Sequence, residues 1–171
     1  MGFHFFSGFC LHGEKELFEN FLEETPFTWA GFSFGAQQLW EKLRHWSGGR
    51  IQKIILLSPA YFGSKPEKWV QLNLAGFQRN REKYIRNFLQ KGGLPDWKYL
   101  DPTCTYSQLE KGLNFQWEPI PPILKKVECH IYLGEADKIV DLEGAYSFFK
   151  KVGIVHLLKH HTHFLTNSSR E

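Results

Sequence analysis

Residues 27–35 read Phe27-Thr28-Trp29-Ala30-Gly31-Phe32-Ser33-Phe34-Gly35, and this stretch decides the fold. Its apolar start favours a strand, and the pattern Gly31-x-Ser33-x-Gly35 follows where that strand meets a predicted helix over 36–46. In such a turn the glycines let strand and helix backbones pass closely, and the serine hydroxyl is exposed on a strained corner. Ser33 is therefore a candidate nucleophile.

The sequence on either side predicts a parallel sheet. The predicted helix ends at Ser47-Gly48-Gly49, and the apolar run 51–58 follows as a buried strand, so strand, turn, helix and strand form one βαβ unit. Similar periodicity predicts a strand at 3–6, a helix over 14–24, a strand from 130 with its loop reaching 137, a helix over 142–151 and a strand at 154–158. We expect one α/β domain over 1–171, with a mostly parallel sheet of about five or six strands.

The middle of the chain differs from this pattern. Residues 60–127 are aromatic-rich, basic and partly helical, and they are interrupted by Gly92-Gly93, Pro95 and Pro119-Ile120-Pro121-Pro122. The segment contains 11 Lys and Arg against 6 Asp and Glu, whereas the rest of the chain contains 10 against 12. We expect an inserted helical lid here, called the lid segment below, and it carries all of the positive excess.

Composition excludes several classes of protein. The chain has 171 residues, of which 42% are hydrophobic, which argues against disorder. A net charge of +3 is too small for a typical nucleic-acid-binding protein, and no run approaches the ~20 apolar residues of a membrane span. Cys10, Cys104 and Cys129 are widely spaced, so neither a disulfide framework nor a zinc site is expected. We expect a cytoplasmic protein with no metal and no cofactor.

Three residues have the right types and positions for nucleophilic catalysis. A serine nucleophile needs a histidine base oriented by a carboxylate. Ser33, Asp137 and His163 occur in that order, each in a loop after a predicted strand, and such loops meet at one edge of a parallel sheet. Two positions stay open: Asp141 or Glu135 could be the acid, and His160 or His161 could be the base. His163 is preferred because the apolar Phe164-Leu165 can anchor its loop.

This order and layout resemble the α/β-hydrolase superfamily. The resemblance lies in Phe5-Phe6-Ser7-Gly8-Phe9, Gly31-Phe32-Ser33-Phe34-Gly35, Leu133-Gly134-Glu135-Ala136-Asp137-Lys138-Ile139-Val140 and Thr162-His163-Phe164. It implies a reduced α/β-hydrolase fold in which the backbone N–H groups of Phe9 and Phe34 form the oxyanion hole. The chain departs from the superfamily in one respect: its first predicted strand already leads into the oxyanion turn, so strands that usually precede it are missing.

More narrowly, the chain resembles over its full length the short carboxylesterases of biotin synthesis, of the BioV type, which is related in role to BioG and BioH. The motifs at 5–9 and 31–35, the small size and the basic lid carry the resemblance. It implies hydrolysis of the methyl ester of pimeloyl-acyl-carrier protein. The partner would then be an acyl-carrier protein bearing a methyl-pimeloyl chain, with no nucleic acid and no membrane involved.

The lid contains a candidate docking surface for that acidic partner. Treated as one helix, residues 77–89 place Phe77, Tyr84, Ile85 and Phe88 on an apolar stripe, with Arg79, Lys83 and Arg86 opposite. Arg81 falls toward the apolar side, where it would either reach a phosphopantetheine phosphate or lie along the lid seam. Any solvated amphipathic helix can show the same pattern.

Two other functions fit the same sequence. A generic acyl hydrolase or thioesterase acting on short acyl esters would use the same three residues without the carrier protein. A non-catalytic acyl-carrier-protein binding module would use only the pocket and the basic lid.

Overall fold

A computed structural model describes residues 3–168 and contains one five-stranded sheet. The strands are β1 (His4–Phe6), β2 (Thr28–Phe32), β3 (Lys53–Leu57), β4 (Glu128–Gly134) and β5 (Ile154–Leu158). Neighbours in sequence are neighbours in the sheet, and all four pairings are parallel. The prediction of an α/β fold with a reduced, mostly parallel sheet is confirmed.

Both faces of the sheet are covered, which explains why the central strand β3 is apolar at nearly every position. Its Ile54 and Leu56 contact the core formed with α1 (Phe34–Arg44) and α5 (Leu142–Phe149). Its Ile55 and Leu57 face the opposite core, which includes residues of the lid segment. The site described below lies where this second core meets the carboxyl ends of the strands.

The lid segment between β3 and β4 contains three helices, α2 (Glu67–Arg79), α3 (Arg81–Gly92) and α4 (Tyr106–Leu113). Short 3₁₀ helices at Trp97–Tyr99 and Pro122–Lys125 complete it. Within residues 3–168, no helix combines the length and the apolar character that crossing a bilayer requires.

The single helix expected over 77–89 is wrong. Asn80 has an extended backbone, φ −153° and ψ 91°, and its side chain accepts a hydrogen bond from the Lys83 N–H at 3.1 Å. An asparagine at this position caps a new helix, so the chain ends α2 and begins α3 there. Arg79 therefore lies on a different helix from Lys83 and Arg86.

The helix expected over 14–24 is also wrong, because only Glu14–Phe18 forms a 3₁₀ helix and turns follow. Phe18 is fully buried against Phe32, with ring centroids 4.7 Å apart, while Phe21 packs on Tyr132 at 5.1 Å. These contacts go to two different strands of the sheet. Tertiary packing thus overrides the helical period of this short run.

The expectation of no disulfide is contradicted. Cys10 and Cys104 are joined by a disulfide that spans 94 residues, while the thiol of Cys129 is free and buried. Spacing in the sequence carries no signal for this pair, because the lid segment brings Cys104 back onto the turn after β1. The spacing of the cysteines therefore supplies no argument for a reducing compartment, and a cytoplasmic location remains a prediction.

Candidate active site

Ser33 lies on a sharp turn between β2 and α1. Its backbone has φ 56° and ψ −117°, an unusual conformation for a residue other than glycine. A Cβ at Gly35 would lie 2.0 Å from the Phe6 carbonyl oxygen, and one at Gly31 would lie 2.8 Å from the Ala36 Cα. The close crossing of strand and helix therefore requires glycine on both sides of Ser33.

The structure brings Ser33, His163 and Asp137 together. His163 Nε2 lies 2.9 Å from Ser33 Oγ, and His163 Nδ1 lies 2.7 Å from Asp137 Oδ2. Ser33 and His163 are each 2% exposed. Three side chains that are distant in sequence thus form one chain of hydrogen bonds, shielded from water.

Local contacts hold the acid and the histidine in place. Asp137 Oδ1 accepts hydrogen bonds from the N–H groups of Ile139 and Val140, at 2.7 and 3.2 Å. Burial opposes ionisation of Asp137, but the His163 charge and these hydrogen bonds hold the pKa of its carboxyl below the usual range. An ionised carboxylate here keeps the proton of a neutral His163 on Nδ1, which leaves Nε2 free to accept one from Ser33.

The His163 loop is anchored from two sides. Phe164 and Leu165 are buried, and the Phe164 ring lies 5.0 Å from Phe32 in the strand that leads to Ser33. The hydroxyl of the buried Ser58 donates to the His163 carbonyl oxygen at 2.6 Å. Ser58 directly follows β3, a position that the sequence analysis did not single out.

The alternative acids and bases lie elsewhere. Asp141 caps α5 by accepting from the Gly144 N–H at 3.0 Å and also accepts from the Ser64 N–H at 3.0 Å. Glu135 is exposed. His160 is exposed as well, and the Nδ1 of His161 lies 2.8 Å from the Lys159 carbonyl oxygen. The geometry around Ser33 therefore involves only the preferred pair.

Phe9 and Phe34 flank the serine as a packed aromatic pair, with ring centroids 5.2 Å apart. Within the described part of the chain, neither amide N–H of this pair donates to a backbone acceptor. Phe88 of α3 contacts both rings, at 6.0 and 6.2 Å. The assignment of these two N–H groups to an oxyanion hole remains a prediction.

A cavity of about 760 Å³ adjoins this pair. It is bounded by the turn at 7–11, the first half of α1 and residues 101–115 of the lid segment. Phe9 and Phe34 line it, whereas Ser33, Asp137 and His163 do not. The cavity thus reaches Phe34, the residue after Ser33, but not Ser33 itself. Among residues 3–168, no group of three or more His, Cys, Asp or Glu side chains is arranged to hold a metal ion.

The four basic residues expected at a docking surface occupy different environments. Arg79, Lys83 and Arg86 are exposed, and the Arg86 guanidinium lies 5.7 Å from the centre of the Trp97 ring. Arg81 instead bonds the carbonyl oxygens of Pro102 and Cys104. Its guanidinium therefore lies in the seam of the lid segment, the second of the two positions predicted for it.

No family model matches the sequence, and no curated protein matches it significantly. An esterase from Exiguobacterium antarcticum has a similar structure, with a TM-score of 0.62 at 15% identity over 79% of this chain and 58% of that one. A lipase-esterase related protein from Clostridium acetobutylicum gives 0.63 at 13% identity, over 98% and 88% of the two chains. BioG from Haemophilus influenzae gives 0.60 at 8% identity, over 95% and 88%.

The chain is short beside some of these proteins, since it spans less than two thirds of the Exiguobacterium esterase. Identities this low report on the fold alone. In this chain that fold is a parallel sheet with the Ser33 turn between β2 and α1 and the lid segment between β3 and β4. The chain has a reduced α/β-hydrolase fold.

Proposed function

We propose that the protein is a serine carboxylesterase that hydrolyses the methyl ester of pimeloyl-acyl-carrier protein in biotin synthesis. The hydrogen-bonded chain from Ser33 through His163 to Asp137 carries the esterase part of this proposal. The choice of substrate rests on the resemblance of the sequence to the short esterases of biotin synthesis. BioG from Haemophilus influenzae shares the fold, which is compatible with that choice.

The proposed reaction follows from the geometry of the site. Ser33 Oγ attacks the ester carbonyl carbon while His163 Nε2 takes the hydroxyl proton, and Asp137 stabilises the imidazolium that forms. The amides of Phe9 and Phe34 stabilise the oxyanion. His163 then returns the proton to the departing methoxide, which leaves as methanol. Water repeats the sequence on the acyl-enzyme and releases the free carboxylate.

The lid segment supports the choice of a large, acidic partner. Arg79, Lys83 and Arg86 are exposed, and exposed cations near an active site attract an acidic carrier protein. Because Ser33 is buried, substrate entry requires residues around it to move, and the packed rings of Phe9, Phe34 and Phe88 are the cover that we propose opens. A cover that sets the depth of the acyl chain would place the methyl ester, and not the thioester, at Ser33.

The experiment follows methyl loss from methyl-pimeloyl-acyl-carrier protein by mass spectrometry, which also reports any cleavage of the thioester. We expect Ser33→Ala to lower kcat/KM by a factor of about 10³ or more, with the exposed Ser107→Ala as its control. Retained activity in Ser33→Ala would exclude the serine mechanism. Preferred cleavage of the thioester in wild type would replace the methyl-esterase proposal by that of a thioesterase.

Docking is tested by neutralising Arg79, Lys83 and Arg86 to glutamine together. We expect KM for the carrier-protein substrate to rise about 10-fold at low salt, and KM for dimethyl pimelate to stay constant. A matched variant neutralises Lys125, Lys126 and Lys151, which are exposed outside α2 and α3. An equal rise in KM in both variants would show that the enzyme responds to net charge alone. The docking site would then not be at Arg79, Lys83 and Arg86.

A further inference from the structure

Glu14 is a carboxylate with no exposed surface, next to the turn that precedes the proposed oxyanion donor. It begins the 3₁₀ helix Glu14–Phe18. Its Oε1 accepts a hydrogen bond from the Gly8 N–H at 3.2 Å. Its Oε2 is buried and has no hydrogen-bond partner within residues 3–168.

This burial costs free energy, because carboxyl groups are rarely fully buried unless a cation pairs with them. No Lys or Arg of the described chain forms an ion pair with Glu14. Burial raises the pKa of Glu14, and the hydrogen bond from Gly8 and the charge of His12 only partly oppose that rise. A residue of this kind destabilises the fold by itself, so its contact with the turn is the feature that needs an explanation.

The contact is made at the middle of the oxyanion turn. Gly8 lies between Ser7 and Phe9, and its two backbone groups are both engaged: its N–H donates to Glu14, and its carbonyl accepts from the Leu11 N–H at 3.3 Å. The next peptide group carries the Phe9 N–H. Since each peptide unit is planar and rigid, tying Gly8 at both ends limits the directions in which the Phe9 N–H can point.

The far side of the same turn is tied independently. Cys10 has a positive φ of 60° and is joined by the disulfide to Cys104 of the lid segment. Phe9 therefore lies between a covalent anchor on one side and the Glu14 hydrogen bond on the other. The Glu14 contact holds the Ser7–Gly8 peptide, which is one peptide unit before the one that carries the Phe9 N–H.

We propose that Glu14 is a positioning residue, whose buried carboxyl holds the Gly8 amide and thereby directs the Phe9 N–H toward the oxyanion formed at Ser33. This inference rests on the proposed serine-esterase function. It assigns a catalytic effect to a side chain that does not touch the substrate. Preorganised donors are effective only when their direction is set before the reaction, and loss of one such donor slows the chemical step.

The test compares three substitutions on dimethyl pimelate. Glu14→Met keeps an unbranched chain of similar length but removes the acceptor, and we expect kcat to fall about 10- to 100-fold with KM changed less than about 2-fold. Glu14→Gln keeps an acceptor oxygen and should retain kcat to within about 3-fold. Glu14→Asp withdraws the acceptor by one methylene and should lose kcat as well, and it serves if Glu14→Met does not fold.

Glu19→Met and Glu19→Gln are the matched controls, because Glu19 is exposed just past the same 3₁₀ helix. Hydrogen exchange of the Gly8 amide, followed by NMR, reports directly on the hydrogen bond between Gly8 and Glu14. The exchange rate should increase only in Glu14→Met and Glu14→Asp. The proposal is overturned if Gly8 exchange accelerates while kcat is unchanged, or if Glu14→Gln loses as much activity as Glu14→Met. Absence of esterase activity in wild type would reject the proposed function. If wild type is active and Glu14→Met has the same kcat and KM as wild type, only the positioning role of Glu14 is rejected.

Discussion

The loops at the carboxyl edge of the sheet and the lid segment build the site in different ways. Ser33, Asp137 and His163 each follow a strand, and short-range contacts orient them, such as the N–H groups of Ile139 and Val140 on Asp137. The lid segment is instead attached by contacts between residues that are far apart in sequence. The proposed catalytic side chains thus lie on loops of the sheet, whereas the lid segment is a separately attached part of the chain.

The attachments of the lid segment are specific. Gln37 of α1 donates through Nε2 to the carbonyls of Ala60 and Gly112, both at 2.8 Å, so one side chain joins the start of the lid segment to α4. Trp40 Nε1 donates to the Trp117 carbonyl at 2.9 Å. The disulfide and Arg81 hold the part of the lid segment around 102–104. Substitutions in the loops that carry Ser33, Asp137 and His163 should therefore lower kcat. Substitutions in the contacts that attach the lid segment should mainly lower the free energy of unfolding.

The largest effect is expected in the loops that carry Ser33, Asp137 and His163. Asp137→Asn keeps the size of the side chain but removes the charge and favours the wrong tautomer of His163, so kcat should fall about 10³- to 10⁴-fold. Steady-state hydrolysis of dimethyl pimelate measures this. Asp141→Asn is the control, since asparagine also caps a helix well, and both stability and kcat should change little. A larger loss of kcat in Asp141→Asn would show that the acid has been misassigned.

The disulfide between Cys10 and Cys104 is one of the contacts that attach the lid segment, and its removal should lower stability. The paired Cys10→Ser and Cys104→Ser variant should lower the free energy of unfolding by about 4 kcal/mol, because the bond closes a loop of 94 residues in the unfolded chain. Denaturant titration with and without a thiol reductant measures the loss. Reductant should weaken wild type but not the double variant.

Alkylation of the unfolded, unreduced protein supplies a separate check on the same bond. One thiol, that of Cys129, should be modified, and all three after reduction. In the folded protein Cys129 should stay unmodified, because burial raises the pKa of its thiol to about 12. Three modified thiols without reduction would mean that the bond does not form in the compartment of origin.

The strands and the loops that carry the proposed catalytic side chains could be predicted from the sequence because their signals are local. The glycines around Ser33, the apolar strand runs and the apolar pair after His163 each lie within a few residues of the feature that they determine. The pairing of Cys10 with Cys104 has no local signal, since the fold alone brings the two together. Glu14 also has no local signal: in the sequence it resembles a surface glutamate, and only the folded structure shows it buried and bonded to Gly8.

Arg79 and Arg81 are two residues apart in the chain, but we expect different roles for them. Arg81 attaches one part of the lid segment to another, whereas Arg79 contributes to docking of the carrier protein. Arg81→Gln removes hydrogen bonds to the carbonyls of Pro102 and Cys104, so it should lower the unfolding free energy by about 1–3 kcal/mol. Arg79→Gln, on the exposed end of α2, should leave stability unchanged and raise KM for the carrier-protein substrate by a few fold at low salt. Denaturation midpoints and KM values measure the two effects. The reverse pattern would place Arg81, and not Arg79, at the docking surface.

The smallest effect is expected at the β5 edge of the sheet, where His130 and His156 stack across β4 and β5. Their ring centroids are 5.1 Å apart, His130 Nδ1 lies 2.8 Å from His156 Nε2, and His130 Nε2 lies 2.6 Å from Glu128 Oε1. Burial, and then the charge of His130, hold the pKa of His156 below its usual 6.5. The unfolded chain therefore binds a proton at this histidine more readily than the folded protein does.

The sign of the pH dependence follows from that difference. The contribution of His156 to stability is complete above pH 6.5 and is lost as the pH falls from 6.5 through the lower folded value. Denaturation midpoints between pH 7 and 5 should therefore decline in wild type and decline less in His156→Asn, with the exposed His160→Asn as control. The contribution of Asp137 disappears only as the pH falls below its usual 3.8, which lies outside the range between pH 7 and 5. An equal decline in wild type and His156→Asn would show that His156 does not carry the pH dependence and that other groups of the protein titrate in this range.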